Sequence, residues 1–171
     1  RVLFDSNGIT LNQNYGNPAG AGAVLVEGHT SVYMSDVTFN NNVADNISSS
    51  GMTGMAGGAV ISNGDLVIEN GSFDSNRAGD SGPGISHGGA LVAASPYGQS
   101  VTINKSIFTN NSAEDGGAIS QTNNAHLVVA NSIFMNNSAT GATTGSGGAI
   151  MNRGGTQFLV NNTIVYNSAV S

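Results

Sequence analysis

Five times along the chain a run of small residues, Gly-Gly-Ala with an aliphatic after it (Gly20-Ala21-Gly22-Ala23-Val24 in the looser first copy), is followed by a Phe-x-x-Asn-x-Ala segment, opened by Ile in the last. A chain patterned this way buries its apolar face only by stacking one copy on the next. The first halves are Gly22-Ala23-Val24, Gly57-Gly58-Ala59-Val60, Gly88-Gly89-Ala90-Leu91, Gly116-Gly117-Ala118-Ile119 and Gly147-Gly148-Ala149-Ile150. The second halves open 14–18 residues after the Ala: Phe39-Asn42-Ala44, Phe73-Asn76-Ala78, Phe108-Asn111-Ala113, Phe134-Asn137-Ala139 and Ile164-Asn167-Ala169. An extra second half, Phe4-Asp5-Ser6-Asn7, opens the chain.

Between the two halves lie segments that alternate apolar and polar, the period of a strand. They are Val32-Tyr33-Met34-Ser35-Asp36, Leu66-Val67-Ile68-Glu69-Asn70, Val101-Thr102-Ile103-Asn104-Lys105, Leu127-Val128-Val129-Ala130-Asn131 and Phe158-Leu159-Val160-Asn161-Asn162. The last is one residue short against Ile164. No window carries a helical apolar stripe. The chain therefore reads as all-β, a parallel β-helix (β-solenoid) of about five and a half three-strand coils in one domain, 1–171. At ~4.8 Å per coil such a rod is on the order of 26 Å long. Its core should hold two ladders. One is Phe39, Phe73, Phe108, Phe134 and Ile164; the other is Val24, Val60, Leu91, Ile119 and Ile150. Asn42, Asn76, Asn111, Asn137 and Asn167 form the repeated turn.

Composition narrows the function classes. Apolar residues reach 39% while charged residues make up 8%, so the chain is aliphatic enough for a core and its polar surface is built from Asn, Ser, Thr and Gly. The 23 asparagines suit tight turns, because the side chain bonds nearby backbone and tolerates left-handed conformations. A net charge of −6 with only Arg1, Arg77, Lys105 and Arg153 as basic residues argues against nucleic acid and against an anionic membrane surface. There is no Cys and no run of eighteen apolar residues. The chain opens at Arg1 without Met, as a processed form or a piece of a longer protein would.

Repeated Gly-Gly-Ala-aliphatic alternating with Phe-x-x-Asn resembles the repeat of the chlamydial polymorphic outer membrane proteins, found also in other large bacterial surface proteins. The resemblance covers nearly the whole chain. It implies a right-handed parallel β-helix, an extracellular or cell-surface location, and an adhesive or structural role. The membrane barrel that ends members of that family has no counterpart in this sequence.

Candidate chemistry is sparse. Glycoside hydrolysis needs two carboxylates facing one cleft, and Asp36 and Glu69 fall at nearly equivalent positions of successive coils. Later coils carry Asn104 or Lys105 and Ala130 or Asn131 there, so these acids read as solvated turn residues and no catalytic residue is assigned. Arg77 near Asp74 and Asp80 is a thin lyase-like pattern. Glu114 and Asp115, adjacent in a short turn, are weak Ca²⁺ candidates; otherwise no cofactor is expected. His29, His87 and His126 sit at different phases of the repeat and define no shared metal site. Sequons occur at Asn46, Asn70, Asn104, Asn110, Asn136 and Asn161, of which Asn46, in an inserted stretch, is the most accessible glycosylation candidate.

The stretches 45–56, 79–87, 114–115 and 140–146 vary most and read as loops at one corner, where a solenoid tolerates insertion. Leu25, Ile61, Val92, Ser120 and Met151 follow the second ladder and read as an outward apolar stripe available to a lateral partner. The chain starts and stops at the same phase of the repeat. The expected function is a non-enzymatic extracellular scaffold or adhesin segment. Its partners are copies of itself stacked end to end into filaments, the rest of a longer β-helix, or a cell-surface glycan or protein. The alternative is a polysaccharide-binding or polysaccharide-degrading β-helix.

Overall fold

The computed structural model describes residues 2–10, 19–45, 55–79, 86–141 and 146–170. It is an all-β parallel solenoid, and the described residues include no helix. Strands equivalent in the repeat lie side by side in five parallel sheets of six, five, six, three and five strands. The three expected extended pieces are all present. The Phe segments pair in one sheet, from Val2–Asp5 through Val37–Asn40, Ser72–Asp74, Ile107–Thr109 and Ile133–Met135 to Thr163–Val165. The alternating segments form a second, and the residues after Gly-Gly-Ala a third, from Val24–Val26 to Ile150–Asn152. Two shorter sheets add to the three-strand coil expected. One holds the Asn-x-Ala segments, such as Ser138–Ala139; the other holds Ala19–Ala21, Met55–Gly57 and Ser86–Gly88.

Both core ladders form in the expected register. Phe4, Phe39, Phe73, Phe108, Phe134 and Ile164 pair in order across the Phe sheet. The five rings stack face to face with centroids 4.7, 4.8, 4.5 and 4.7 Å apart, a spacing set by the strand separation itself. Val24, Val60, Leu91, Ile119 and Ile150 pair likewise on the opposite wall, and both ladders belong to one hydrophobic cluster. A smaller cluster holds the buried Ala44, Ala56, Ala78 and Ala113.

Sharp corners bracket each Phe strand, and both are made with left-handed residues. Ahead of it stand Asp36, Asn70, Lys105, Asn131 and Asn161, with φ between 52° and 53°. Behind it stand Ser6, Asn41, Ser75, Asn110, Asn136 and Tyr166, with φ between 52° and 57°. This conformation favours Asn, whose short amide relieves the strain, and six of the 23 asparagines stand at these corners. At the Gly-Gly-Ala corner a different constraint operates. A Cβ on Gly58, Gly89 or Gly117 would fall 1.9–2.1 Å from the carbonyl oxygen of the equivalent glycine one coil on, so the column admits only hydrogen.

Two expectations are corrected. The last alternating segment is in full register, with Gln157 opposite Leu127, Phe158 opposite Val128 and Leu159 opposite Val129. The apolar run Phe158-Leu159-Val160 suggests an alignment one residue off; Leu159 continues the inward column, and Phe158 lies on the outer face, 59% exposed. Nor is the middle of the stripe after the second ladder an open surface, though Leu25 at its start is exposed. Ile61 and Val92 are fully buried with Ala94, and Ala21 and Met55 of the shortest sheet pack against them. Met55 and the strand Ser86–Gly88 begin in stretches that read as loops, which is why the covering is not visible in the repeat pattern.

Two substitutions test these corners by thermal unfolding. Gly89→Ala should prevent the cooperative transition or lower its midpoint sharply, since backbone must move to admit the methyl group. Lys105→Asn, at an exposed left-handed position, should instead stabilise by ~0.5–1 kcal/mol, because Asn tolerates this conformation better than Lys.

Candidate functional site

The buried polar chemistry of the solenoid is concentrated in its asparagine corner. Each internal Asn points inward and uses its whole hydrogen-bonding capacity. Asn111 Oδ1 accepts from the backbone N–H of Asn76 at 3.0 Å and from its Nδ2 at 3.0 Å. Asn111 Nδ2 donates onward to Asn137 Oδ1 at 2.9 Å and back to the carbonyl of Phe73 at 3.0 Å. The same set recurs at Asn42, Asn76 and Asn137, all fully buried. It begins at Asn7, whose backbone N–H and Nδ2 both donate to Asn42 Oδ1, and ends at Asn167. Only an amide fits this place. It needs two donors and an acceptor with two lone pairs, which neither Asp nor Ser supplies.

A second polar column stands at the other corner, two residues before each Phe. Ser106 Oγ accepts from Gly71 N–H, Ser132 Oγ from Ser106 N–H, and Asn162 Oδ1 from Ser132 N–H, at 2.9–3.1 Å. The equivalents are Val37, Gly71, Ser106, Ser132 and Asn162, and this change of residue type hides the column from a search for repeated letters.

Four ionisable side chains lie beside the Gly-Gly-Ala corner, in two pairs. His87 Nδ1 lies 3.3 Å from Glu114 Oε2, and Arg153 Nη2 lies 2.6 Å from Asp115 Oδ2. His87 is fully buried and Asp115 is 2% exposed. Asp115 Oδ1 has no hydrogen-bond partner, nor has the buried Ser120 Oγ. Burial pushes the Asp115 carboxyl above its ordinary range, and the Arg153 guanidinium only partly offsets this. Ser120 occupies the column that Ile61 and Val92 fill with hydrocarbon lower in the stack.

The Ca²⁺ candidates are thus brought together, each directed at a basic partner. Among the described residues, no group of three or more His, Cys, Asp or Glu is placed to hold a metal ion. His87, read as chance placement, is part of this cluster, and Arg153 has no signal in the repeat that marks it. His29 stacks on Tyr97 with centroids 5.0 Å apart. Asp36 and Glu69 do not oppose one another: Glu69 pairs with Ser35, Asp36 occupies the corner under Asn70, and Glu69 accepts the hydroxyl of Tyr33 at 3.0 Å. Asp74 accepts from Thr109 and Asn110 rather than facing Arg77 as a lyase pair. Asn46 and Asp80 lie outside the described residues. The sequon asparagines Asn70, Asn110, Asn136 and Asn161 are all exposed left-handed corners.

Comparison with known families matches residues 105–122 and 131–153 to the Chlamydia polymorphic membrane protein repeat. The resemblance read from Gly-Gly-Ala and Phe-x-x-Asn is therefore found independently. The matched stretches carry Phe108, Asn111, Gly116-Gly117-Ala118-Ile119, Phe134, Asn137 and Gly147-Gly148-Ala149-Ile150, the parts that build the ladders. That family is associated with the outer membrane or cell surface. No curated protein and no solved structure matches the chain.

Asn111→Ala should destabilise by about 3–5 kcal/mol in denaturant unfolding, since it strands donors on Asn76 and the Phe73 carbonyl in the interior. Asn7→Ala, at the exposed edge, should cost under ~1 kcal/mol. Asp115 titrates with the opposite sign to a salt-bridged surface carboxylate. Its folded pKa lies above the unfolded value, so the folded state holds the proton more tightly. Its contribution is most favourable below the unfolded pKa and is lost as pH rises through the folded one. Asp115→Asn should therefore be at least as stable as wild type at pH 7, with the difference shrinking toward pH 4.

Proposed function

We propose that this chain is a non-enzymatic scaffold segment of a cell-surface protein, a stiff β-solenoid that holds adhesive surfaces away from its point of attachment and stacks end to end. The observation that carries the reading is the unbroken Asn ladder. Its buried polar groups are spent on joining one coil to the next, so the interior offers none of them to a catalytic constellation. The carboxylates support it too. Asp5, Glu69, Asp74 and Asp115 each accept from a neighbouring side chain, which binds them into the structure instead of aiming a pair at one cleft. The repeat it shares with polymorphic membrane proteins supports a surface location.

End-to-end stacking follows from the polarity of the ladder. Each Asn donates toward the C-terminal side and accepts from the N-terminal side. At the far end Ile150, Gln157, Leu159, Ile164 and Asn167 line an open depression of about 330 Å³. Asn7 of another copy would offer Oδ1 to Asn167, and Phe4 would stack on Ile164. Such a heterologous contact propagates into an open filament.

Electron microscopy with light scattering across protein concentration tests the assembly. Rods that lengthen with concentration, and shorten in Ile164→Asp, are expected; a monodisperse monomer at high concentration contradicts it. Antibody labelling of intact source cells tests the location, with surface staining expected and staining only after permeabilisation contradicting it.

A further inference from the structure

The repeat breaks on the outer face of the second and third coils, beside the corner that leads into the Phe sheet. Asp36, Val37, Thr38, Asn70 and Ser72 line a shallow depression there of about 330 Å³, the low end of the range for small-ligand sites. Register gives the contrast. Thr38 and Ser72 are followed in the same column by Ile107 and Ile133, and Glu69 by Asn104 and Ala130. In the corner column the next residue after Asp36 and Asn70 is Lys105. Hydroxyls and carboxylates thus gather at one level of the rod, and the next level carries Ile107, Asn104 and Lys105 in their place. The break lies outside the Asn and Phe ladders that join coil to coil.

An aromatic side chain stands three residues ahead of Asp36, next to the lining residues in sequence and not itself one of them. Tyr33 is 63% exposed on the outer face, and its hydroxyl donates to Glu69 Oε2 at 3.0 Å, the residue just before Asn70. That hydrogen bond, with desolvation and the negative charge of Glu69, holds the phenol pKa above its ordinary value. The ring is therefore tethered, presenting a face at little cost in ordering. Within the depression Asn70 Nδ2 reaches Asp36 Oδ1 at 3.4 Å, a long contact that an incoming hydroxyl can replace.

We propose that this depression is a subsite for a neutral sugar ring of an oligosaccharide, with Tyr33 as the apolar platform and Asp36, Asn70, Thr38 and Ser72 as the hydroxyl-binding set. A pyranose offers an apolar C–H face and a rim of hydroxyls that both donate and accept. The Tyr33 ring meets the first need. A carboxylate accepts, an amide does both, and two hydroxyls adapt, which meets the second. Asp36 and Glu69 on a chain of net charge −6 repel uronates and sulfated sugars, so charge selects the neutral class. This deepens the adhesive part of the proposed function and rests on that reading for its use, while binding itself is measured on the purified protein and stands apart from stacking and location.

The experiment is saturation-transfer NMR and calorimetry with neutral hexose oligosaccharides and, in parallel, uronate oligosaccharides. A Kd on the order of millimolar is expected for neutral oligosaccharides, as for a shallow single-ring site. Tyr33→Ala should weaken binding tenfold or more, and Tyr33→Phe should keep most of it. Asp36→Asn, which tolerates the left-handed corner, should weaken it several-fold. Val128→Ala, on the same outer column three coils on, should change nothing. Circular dichroism reports whether each variant keeps the fold, and the exposure of Tyr33 makes both of its variants readable. Absence of neutral-sugar binding, binding by Tyr33→Ala equal to wild type, or preference for the uronate would each overturn the assignment.

Discussion

The primary amide of asparagine, fully enclosed and fully satisfied, is the interaction on which the other features depend. A buried polar group without partners costs about 1–3 kcal/mol, so a column of them survives only if every member is paired. Here each amide closes two bonds with the coil before it, in which it accepts, and donates one bond forward and one to a Phe carbonyl. The Phe carbonyl tie fixes the position of the ring strand. The fixed strand holds the phenylalanines at stacking distance. The left-handed residue directly before each Asn turns the chain so that the amide points inward. Corner, ring and amide therefore specify one another, and none is independently replaceable.

Such a column also explains where chemistry can and cannot reside. The interior is committed to translation of one pattern. Variation is left to the outer faces and to the corner beside Gly-Gly-Ala, where side chains are not required to match their neighbours. Both departures of interest lie there: the His87, Glu114, Asp115 and Arg153 cluster, and the Tyr33 to Ser72 depression. The first pairs the buried Asp115 with a part-exposed Arg153, and desolvation pushes that carboxyl upward, so the pair adds little stability. The second replaces isoleucines by hydroxyls on an exposed face.

The sequence made legible whatever is repeated by identity. Phe39, Phe73, Phe108 and Phe134 and the asparagines of the turn announce their columns, because stacking rewards like on like, and the parallel solenoid follows from them. Less was legible where a column is kept by role and not by residue type. Val37, Gly71, Ser106, Ser132 and Asn162 share one corner with no common letter, and Gln157 holds an inward register that hydropathy assigns to Phe158. Contacts between unlike positions were not legible at all. Arg153 reaches Asp115 across 38 residues, and Met55 covers Ile61 from a stretch that reads as loop, since nothing periodic links such pairs.

Side-chain amide hydrogen exchange, followed by NMR on protein labelled at asparagine, addresses the ladder most directly. The Nδ2 protons of Asn42, Asn76, Asn111 and Asn137 should exchange orders of magnitude more slowly than those of the exposed corner residues Asn110 and Asn136, with two strongly separated proton shifts for each buried amide. Exchange of all six at the rate of free asparagine would contradict the ladder, and with it the account of how the coils are held together.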